Sequence, residues 1–329
     1  MTSRTRRSAI ASFASTVATI GIVIPGRAAT PVRFLTSWFA EGEHGGYYQA
    51  QATGLYAKAG LDVTLLQGSP QTNSPQMLAG GDTELMMGYD MQTLTNVEKG
   101  VPILAVAAPF QVDLGCIVAH PSVRSLADLK GHPILISSAS YTSFWPWLAA
   151  RYGFSDDQVQ PYSYSYQRFI DDPSIAQQGY ITYDDYALRR AGIPAKLFGL
   201  ADAGLPTYGA PIITTRAYLA AHRDVVERFV RASLIGWRDY LRNPAPANAL
   251  ILAANPKMSE AQLMATITKL REDNVLTRGL APGQSLGTIT DARWQATRDI
   301  MVRSNLLSPT TNWHAAYTTA ICTTLNVTP

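Results

Sequence analysis

The chain is poor in the residues that usually announce chemistry. It has two cysteines and five histidines in 329 residues. Cys116 and Cys322 stand far apart with no CxxC spacing, which excludes a thiol redox motif; one disulfide and two free thiols remain equally open readings. His44, His120, His132, His222 and His314 are isolated, with neither HExxH nor Cys/His zinc spacing. A Walker A loop and a GxGxxG turn after a strand are missing, and the GxSxG spacing at Gly283 to Gly287 follows no expected strand, so it is not a nucleophile elbow. Adjacent acids such as Asp156-Asp157, Asp171-Asp172 and Asp184-Asp185 read as solvated turn residues. The expectation is a protein without catalysis, metal or cofactor.

Charge of one sign is also scarce. The sequence pI is about 8.8, but the excess belongs to the first 28 residues. Removing them takes away Arg4, Arg6, Arg7 and Arg27 and no acid, leaving 23 basic residues against 24 acidic and a net charge of −1. A nucleic-acid partner, which needs a basic stripe on the folded domain, is therefore not expected. Residues 1–28 read as a cleaved export signal: arginines, a weakly apolar run from Ala9 to Pro25, then Gly26, Ala28 and Ala29. Ser12, Ser15, Thr16 and Thr19 interrupt that run and leave it short of the ~20 apolar residues that span a bilayer. The pair Arg6-Arg7 is compatible with twin-arginine export.

What is present is a repeating alternation of short apolar strands and amphipathic helices, the pattern of a parallel α/β sheet. From residue 32 it reads strand "VRFLTSW", helix "YYQAQATGLYAKAG", strand "LDVTLLQG", helix "SPQMLAGG", strand "TELMMGY", helix "MQTLTNVEKG" and strand "PILAVAAPF". A second unit follows, with strands "GCIVAHPSV", "HPILISSAS", "VQPYSYSY", "GYITY" and "AKLFGLAD", helix "SFWPWLAARYG" and a short helix after Asp172. After "YGAPIITT" the chain is mostly helical, opening on one long helix over 216–243. Two α/β lobes joined by two crossings, near Phe110 to Cys116 and Tyr208 to Thr214, fit this order; periodicity leaves one larger α/β domain open. The lobes would comprise 29–112 with 213–329, and 113–212.

Ligands of open α/β sheets bind beyond the carboxyl ends of the strands. The residues there are Trp38 and Phe39, His44-Gly45-Gly46, Tyr89-Asp90, Ser138 and Ser140, and Tyr180 with Asp184. Gly45 and Gly46 allow close backbone approach at a helix start, or merely turn the chain. Tyr162, Tyr164 and Tyr166 alternate and so share one face of a strand, with core, cleft and solvent all open for it. Trp145 and Trp147 are expected to pack a core.

The stretches "EHGGYYQAQATGLYAKAGLDV", "MLAGGDTELMMGYDMQTL", "SLADLKGHPILISSAS" and "QQGYITYDDY", in this order over nearly the whole mature chain, carry a resemblance. The chain resembles the periplasmic substrate-binding proteins of ABC importers that take up nitrate, sulfonates, taurine and thiamine pyrimidine precursors, the group that also includes thiamine pyrimidine synthases. The resemblance implies a two-lobe, type II-like periplasmic binding protein fold with two hinge crossings and a helical C-terminal part. It implies a monomeric periplasmic receptor that closes over a small-molecule ligand and delivers it to an ABC permease and its ATPase. The pyrimidine branch is the most similar, through Trp38 and "EHGGYY". There a flat ring would stack on Trp38 or a tyrosine, and Asp184, where relatives often carry Glu, would accept from a ring amino group. Sulfonate, taurine and nitrate remain alternatives through Ser138, Ser140 and helix-start N–H groups, and riboflavin through the aromatic content. The synthases are similar around "MGYDMQTL", but carry their cofactor-linking lysine where this chain has Asp90 and their sacrificial histidine where it has Leu94. They also carry a cysteine-rich motif that is absent before "GYITYDDY", so synthase activity is not expected.

Overall fold

A computed structural model describes residues 28–329; the expected export signal falls almost wholly outside them. The first unit runs β1 (Thr30–Leu35), α1 (Gly45–Ala52), α2 (Leu55–Lys58), β2 (Leu61–Leu66), α3 (Ser74–Gly80), β3 (Leu85–Met87), α4 (Asp90–Glu98) and β4 (Ile103–Ala107). The second runs β5 (Gly115–Ala119), β6 (Ile134–Ile136), α5 (Ser138–Tyr141), α6 (Trp145–Tyr152), β7 (Val159–Pro161), α7 (Gln167–Asp171), β8 (Ala176–Tyr180), α8 (Ile181–Arg190) and β9 (Lys196–Gly199). The chain then returns through β10 (Ile212–Thr215) to α9 (Arg216–Ala221), α10 (Arg223–Arg242), α11 (Ala245–Ala254), α12 (Glu260–Glu272) and α13 (Asp291–Arg303).

Two five-stranded sheets result, ordered β2-β1-β3-β10-β4 and β7-β6-β8-β5-β9. In each, four strands run one way and the fourth in order, β10 or β5, is reversed. Those reversed strands are the ones that receive the chain as it crosses between sheets. The crossings, 108–114 and 200–211, touch each other, Gly209 N donating to Phe110 O at 3.0 Å. The mostly parallel α/β architecture expected from the alternation is thus present, with the reversals at the two places where the chain changes sheet.

The core of the first sheet is aromatic. Phe34 packs on Tyr47 and Phe229 with ring centroids 4.4 and 4.9 Å apart, and Trp237 closes on Tyr47 and Phe110. Trp145 and Trp147 are buried, as expected of core residues, and α6 packs with Leu148 against the second sheet. Cys116 and Cys322 are both free and buried, which resolves the cysteine alternatives in favour of thiols.

Five local expectations need correction. The helix over 47–60 is two, broken where Gly54 takes φ 68°. The long helix over 216–243 is also two: His222 leaves helical geometry and its carbonyl accepts from Val225 and Val226 N–H to start α10. "HPILISSAS" stays extended only to Ile136, because Ser137 caps α5 by accepting from Ser140 N. "GYITY" is a strand only to Tyr180; Ile181 begins α8, whose Asp184 in the first turn and Arg189-Arg190 in the last complement the helix dipole. The short helix lies before Asp172, which caps its end, and consumes Tyr166 as its own N-cap. Tyr162, Tyr164 and Tyr166 therefore lie beyond β7 and do not share a strand face.

Candidate functional site

One cleft runs between the two sheets, with a cavity volume of about 80 Å³ open to the centre of a water-sized sphere. The first sheet supplies Ser37 and Trp38 after β1, Glu41, Glu43 and His44 before α1, and Tyr89 and Asp90 at the start of α4. Facing them are Ser137 and Ser140 of the α5 start, Tyr162 and Tyr164 after β7, and Tyr180, Tyr183 and Asp184 at the β8–α8 junction. Asp113 of one crossing and Thr207 of the other form its floor.

The rings meet across the cleft. Trp38 lies 6.0 Å from Tyr162 between centroids at 27°, and 5.9 Å from Tyr164 edge-on. Tyr164 holds a left-handed backbone, φ 54°, uncommon for an aromatic residue, and this turns the chain after β7 so that its ring reaches Phe39 and Tyr183 as well.

The charged lining is acidic. Among the described residues, Glu41, Glu43, Asp90, Asp113 and Asp184 line the cleft and no Lys or Arg does. His44 is the remaining titratable nitrogen there, and burial lowers its pKa to about 3, leaving it neutral. The acids fall into two electrostatic groups. Burial raises Glu43 to about 7 against the pull of the Thr182 hydroxyl, and raises Glu41 well above the ordinary range with Glu43 and Asp184 adding repulsion. Burial also raises Asp90 to about 7, with Tyr208 N–H and Arg293 opposing and Asp113 reinforcing the shift. Asp184 rises to about 6, again through burial.

Four of these side chains have structural partners. Asp184 accepts from Tyr166 OH and Tyr180 N, both at 2.6 Å. Asp113 accepts from Gly115 N at 2.7 Å and Thr207 Oγ1 at 3.1 Å, tying the two crossings together. Glu43 Oε1 accepts from Thr182 Oγ1 in the opposite half, a contact joined by Thr266 Oγ1 donating to Thr182 O at 3.1 Å. Asp90 Oδ2 accepts from Tyr208 N at 2.8 Å. Glu43 Oε2 and Asp90 Oδ1 are buried and have no protein partner.

Behind the floor, Arg293 of α13 clamps both crossings. Its Nη1 donates to Gln111 O at 2.6 Å and its Nη2 to Pro206 O and Thr207 O at 3.0 Å, with the guanidinium 4.1 Å from the Tyr208 ring centre.

Of the residues singled out from sequence, Trp38, His44, Tyr89, Asp90, Ser140, Tyr162, Tyr180 and Asp184 line this cleft. Phe39, Gly45, Gly46 and Ser138 do not. Gly45 and Gly46 serve helix packing: a Cβ on Gly45 would stand 2.0 Å from the Tyr240 ring and one on Gly46 2.2 Å from the Trp237 ring, so their small size lets α1 meet α10. Phe39 backs Trp38 and Tyr164 from outside. Ser138 is exposed, and its N–H donates to Pro70 O at 3.2 Å, while Ser140 N–H is taken by Ser137 Oγ; the anion cradle expected at this helix start has lost those two donors. Glu41, Glu43 and Asp113 are cleft residues that sequence reasoning passed over. The signal for the glutamates was there in "AEGEHGG", two acids directly before a helix start at a strand end.

Comparison with known proteins agrees with this geometry. The sequence model of a family described as NMT1/THI5 like matches residues 41–247. The chain is similar to the riboflavin-binding protein RibY of Chloroflexus aurantiacus, 27% identical over 291 residues, covering 83% of this chain and 80% of that one. It is similar to a formylaminopyrimidine-binding protein of Halalkalibacterium halodurans, 24% identical over 229 residues, covering 67% and 69%. Among solved structures it resembles the alkanesulfonate-binding protein SsuA of Xanthomonas axonopodis pv. citri, with TM-score 0.64, 18% identity, and 88% and 98% of the two chains covered. The shared architecture is the periplasmic binding protein fold.

Proposed function

Because the chain belongs to the NMT1/THI5-like family, whose model matches residues 41–247, more than half of its length, we propose that it is the solute receptor of an ABC importer. Its ligand is a small, flat nitrogen heterocycle of the pyrimidine-precursor or flavin kind, gripped in the cleft and passed unaltered to a permease. The observation that carries this reading is the cleft's composition: aromatic rings from both halves around buried carboxyl groups whose free oxygens can accept from ring N–H or amino groups. The names of the two sequence relatives, which bind riboflavin and a formylaminopyrimidine, support the same class.

In this reading the lobes are 29–112 with 213–329, and 113–212, and the crossings at 108–114 and 200–211 act as the hinge. Ligand contacts from both lobes favour the shut form, which the permease reads in the periplasm. Sulfonates, taurine and nitrate fit less well, since an anion would enter a field of carboxylates with no cation on the lining. A synthase reading finds Asp90 in the cleft and Leu94 sealed in the core, where the similar enzymes carry lysine and histidine.

A thermal-shift screen over aminopyrimidines, thiamine, riboflavin, taurine, alkanesulfonates and nitrate tests the proposal, because a specific binder stabilises the native state by mass action. Heterocycles should raise the melting temperature and anions should not. Stabilisation by sulfonate or nitrate alone would overturn the reading.

A further inference from the structure

Four buried polar atoms of the cleft have no protein partner, the Tyr164 hydroxyl, His44 Nδ1 and two carboxyl oxygens, and the carboxyl oxygens call for an explanation that the fold does not provide. Asp184 and Asp113 each have two protein donors and hold the β8–α8 junction and the hinge together. Glu43 and Asp90 are different. They are 2% and 1% exposed, each spends one oxygen on a protein donor, and each leaves the other, Oε2 and Oδ1, without any. A buried acceptor with no partner is costly to the free protein, and a buried carboxylate with no counter-charge more so. Among the described residues no three His, Cys, Asp or Glu side chains converge closely enough to hold a metal ion, so the geometry offers no inorganic counter-charge site. Arg293, the cation whose charge reaches Asp90, is turned away into the crossing carbonyls.

Resting on the receptor reading above, we infer that the ligand is a cation: a ring bearing a protonated amine or a positively charged nitrogen, whose donors meet Glu43 Oε2 and Asp90 Oδ1 while its charge lies among Trp38, Tyr162 and Tyr164. The aromatic faces contribute in the same direction, since a cation is drawn to the negative face of an indole or phenol ring once water is excluded. Glu43 and Trp38 come from one half and Tyr162 and Tyr164 from the other, so a cation held among them attracts both halves at once. A neutral ligand can satisfy the acceptors but leaves Glu43 and Asp90, whenever they are ionised, without a counter-charge on the cleft lining.

The test is titration calorimetry on the full mature chain with a matched pair of ligands, 4-amino-5-aminomethyl-2-methylpyrimidine and its N-formyl amide, with thiamine as a ring of fixed positive charge and taurine as a control. The ammonium compound should bind at least about ten-fold tighter than the amide, the scale of a desolvated charge pair. Glu43→Gln and Asp90→Asn should each lower the ratio of ammonium to amide affinity, measured within the same variant, by at least about three-fold, whatever the variant does to amide binding itself. The wild-type comparison stands even if a variant fails to fold. If the amide or riboflavin binds as tightly as the ammonium compound, the charge inference is overturned and the heterocycle reading survives. If taurine binds and no ring does, both fall.

Discussion

At the scale of single residues, the cleft trades stability for recognition. Glu43 and Asp90 have carboxyl pKa values raised to about 7 by burial, above their values in the unfolded chain. The folded state therefore holds protons that the unfolded state has released, so the stability linked to these groups is complete below the unfolded pKa and is lost as pH rises through about 7. Glu43 faces Asp184 and Thr182, with Glu41 beside it, and Asp90 faces Asp113, Arg293 and Tyr208; none of these reverses the sign. Ligand-free protein should accordingly melt higher at about pH 5 than at about pH 8, with each such group contributing at most about 1.4 kcal/mol per pH unit. Asp90→Asn should stabilise the ligand-free protein at about pH 8 by roughly 1–3 kcal/mol, because it removes a buried charge and keeps an acceptor for Tyr208 N–H. Urea denaturation at the two pH values measures both effects, and a flat pH profile in the wild type would contradict them. Trp38→Ala should weaken heterocycle binding by roughly 2–4 kcal/mol, as loss of a central aromatic anchor does, measured by calorimetry.

At the scale of elements, α1 and α13 carry constraints that reach the site without touching a ligand. The Gly45-Gly46 start of α1 lies flat against Tyr240 and Trp237 of α10. Gly46→Ala should destabilise the fold by about 1–3 kcal/mol through overpacking, seen in chemical denaturation, while ligand affinity of the folded fraction stays unchanged. A loss of affinity at constant stability would return Gly46 to the site. Arg293 holds both crossings by their carbonyls, and Arg293→Ala should loosen the hinge; single-molecule distance measurements between labels on the two lobes should then show a broader spread in the absence of ligand. The elements were unevenly legible in the sequence. Apolar runs such as "PILAVAAPF" and "GCIVAHPSV" announced β4 and β5, because fully buried strands need little else. "ITYDD" was misread because β-branched and aromatic residues favour strands, whereas the acids and the closing arginines that make α8 act only through the helix as a whole. The tyrosines after β7 misled for a related reason: alternation along the chain carries a face only while the backbone stays extended, and Tyr164 turns it. Glu43 and Asp90 could be quoted from the sequence but not paired, since the crossings that bring both to one cleft are set by long-range topology.

At the scale of the molecule, the two sheets form halves connected at two touching crossings, with rings and acids facing inward. Protein contacts already bridge the halves: Gln262 Nε2 donates to Tyr183 O at 3.0 Å and Gln92 Nε2 to Thr142 Oγ1 at 2.6 Å. In the proposed receptor, closure would thus have a protein-only component, to which a ligand would add through Glu43, Asp90 and the rings. Hydrogen–deuterium exchange with and without saturating 4-amino-5-aminomethyl-2-methylpyrimidine is the most direct test of this account. It predicts slowed exchange in residues 37–44 and 89–94 of one half together with 137–143 and 178–184 of the other. Protection confined to one half, or appearing only away from these four segments, would contradict it.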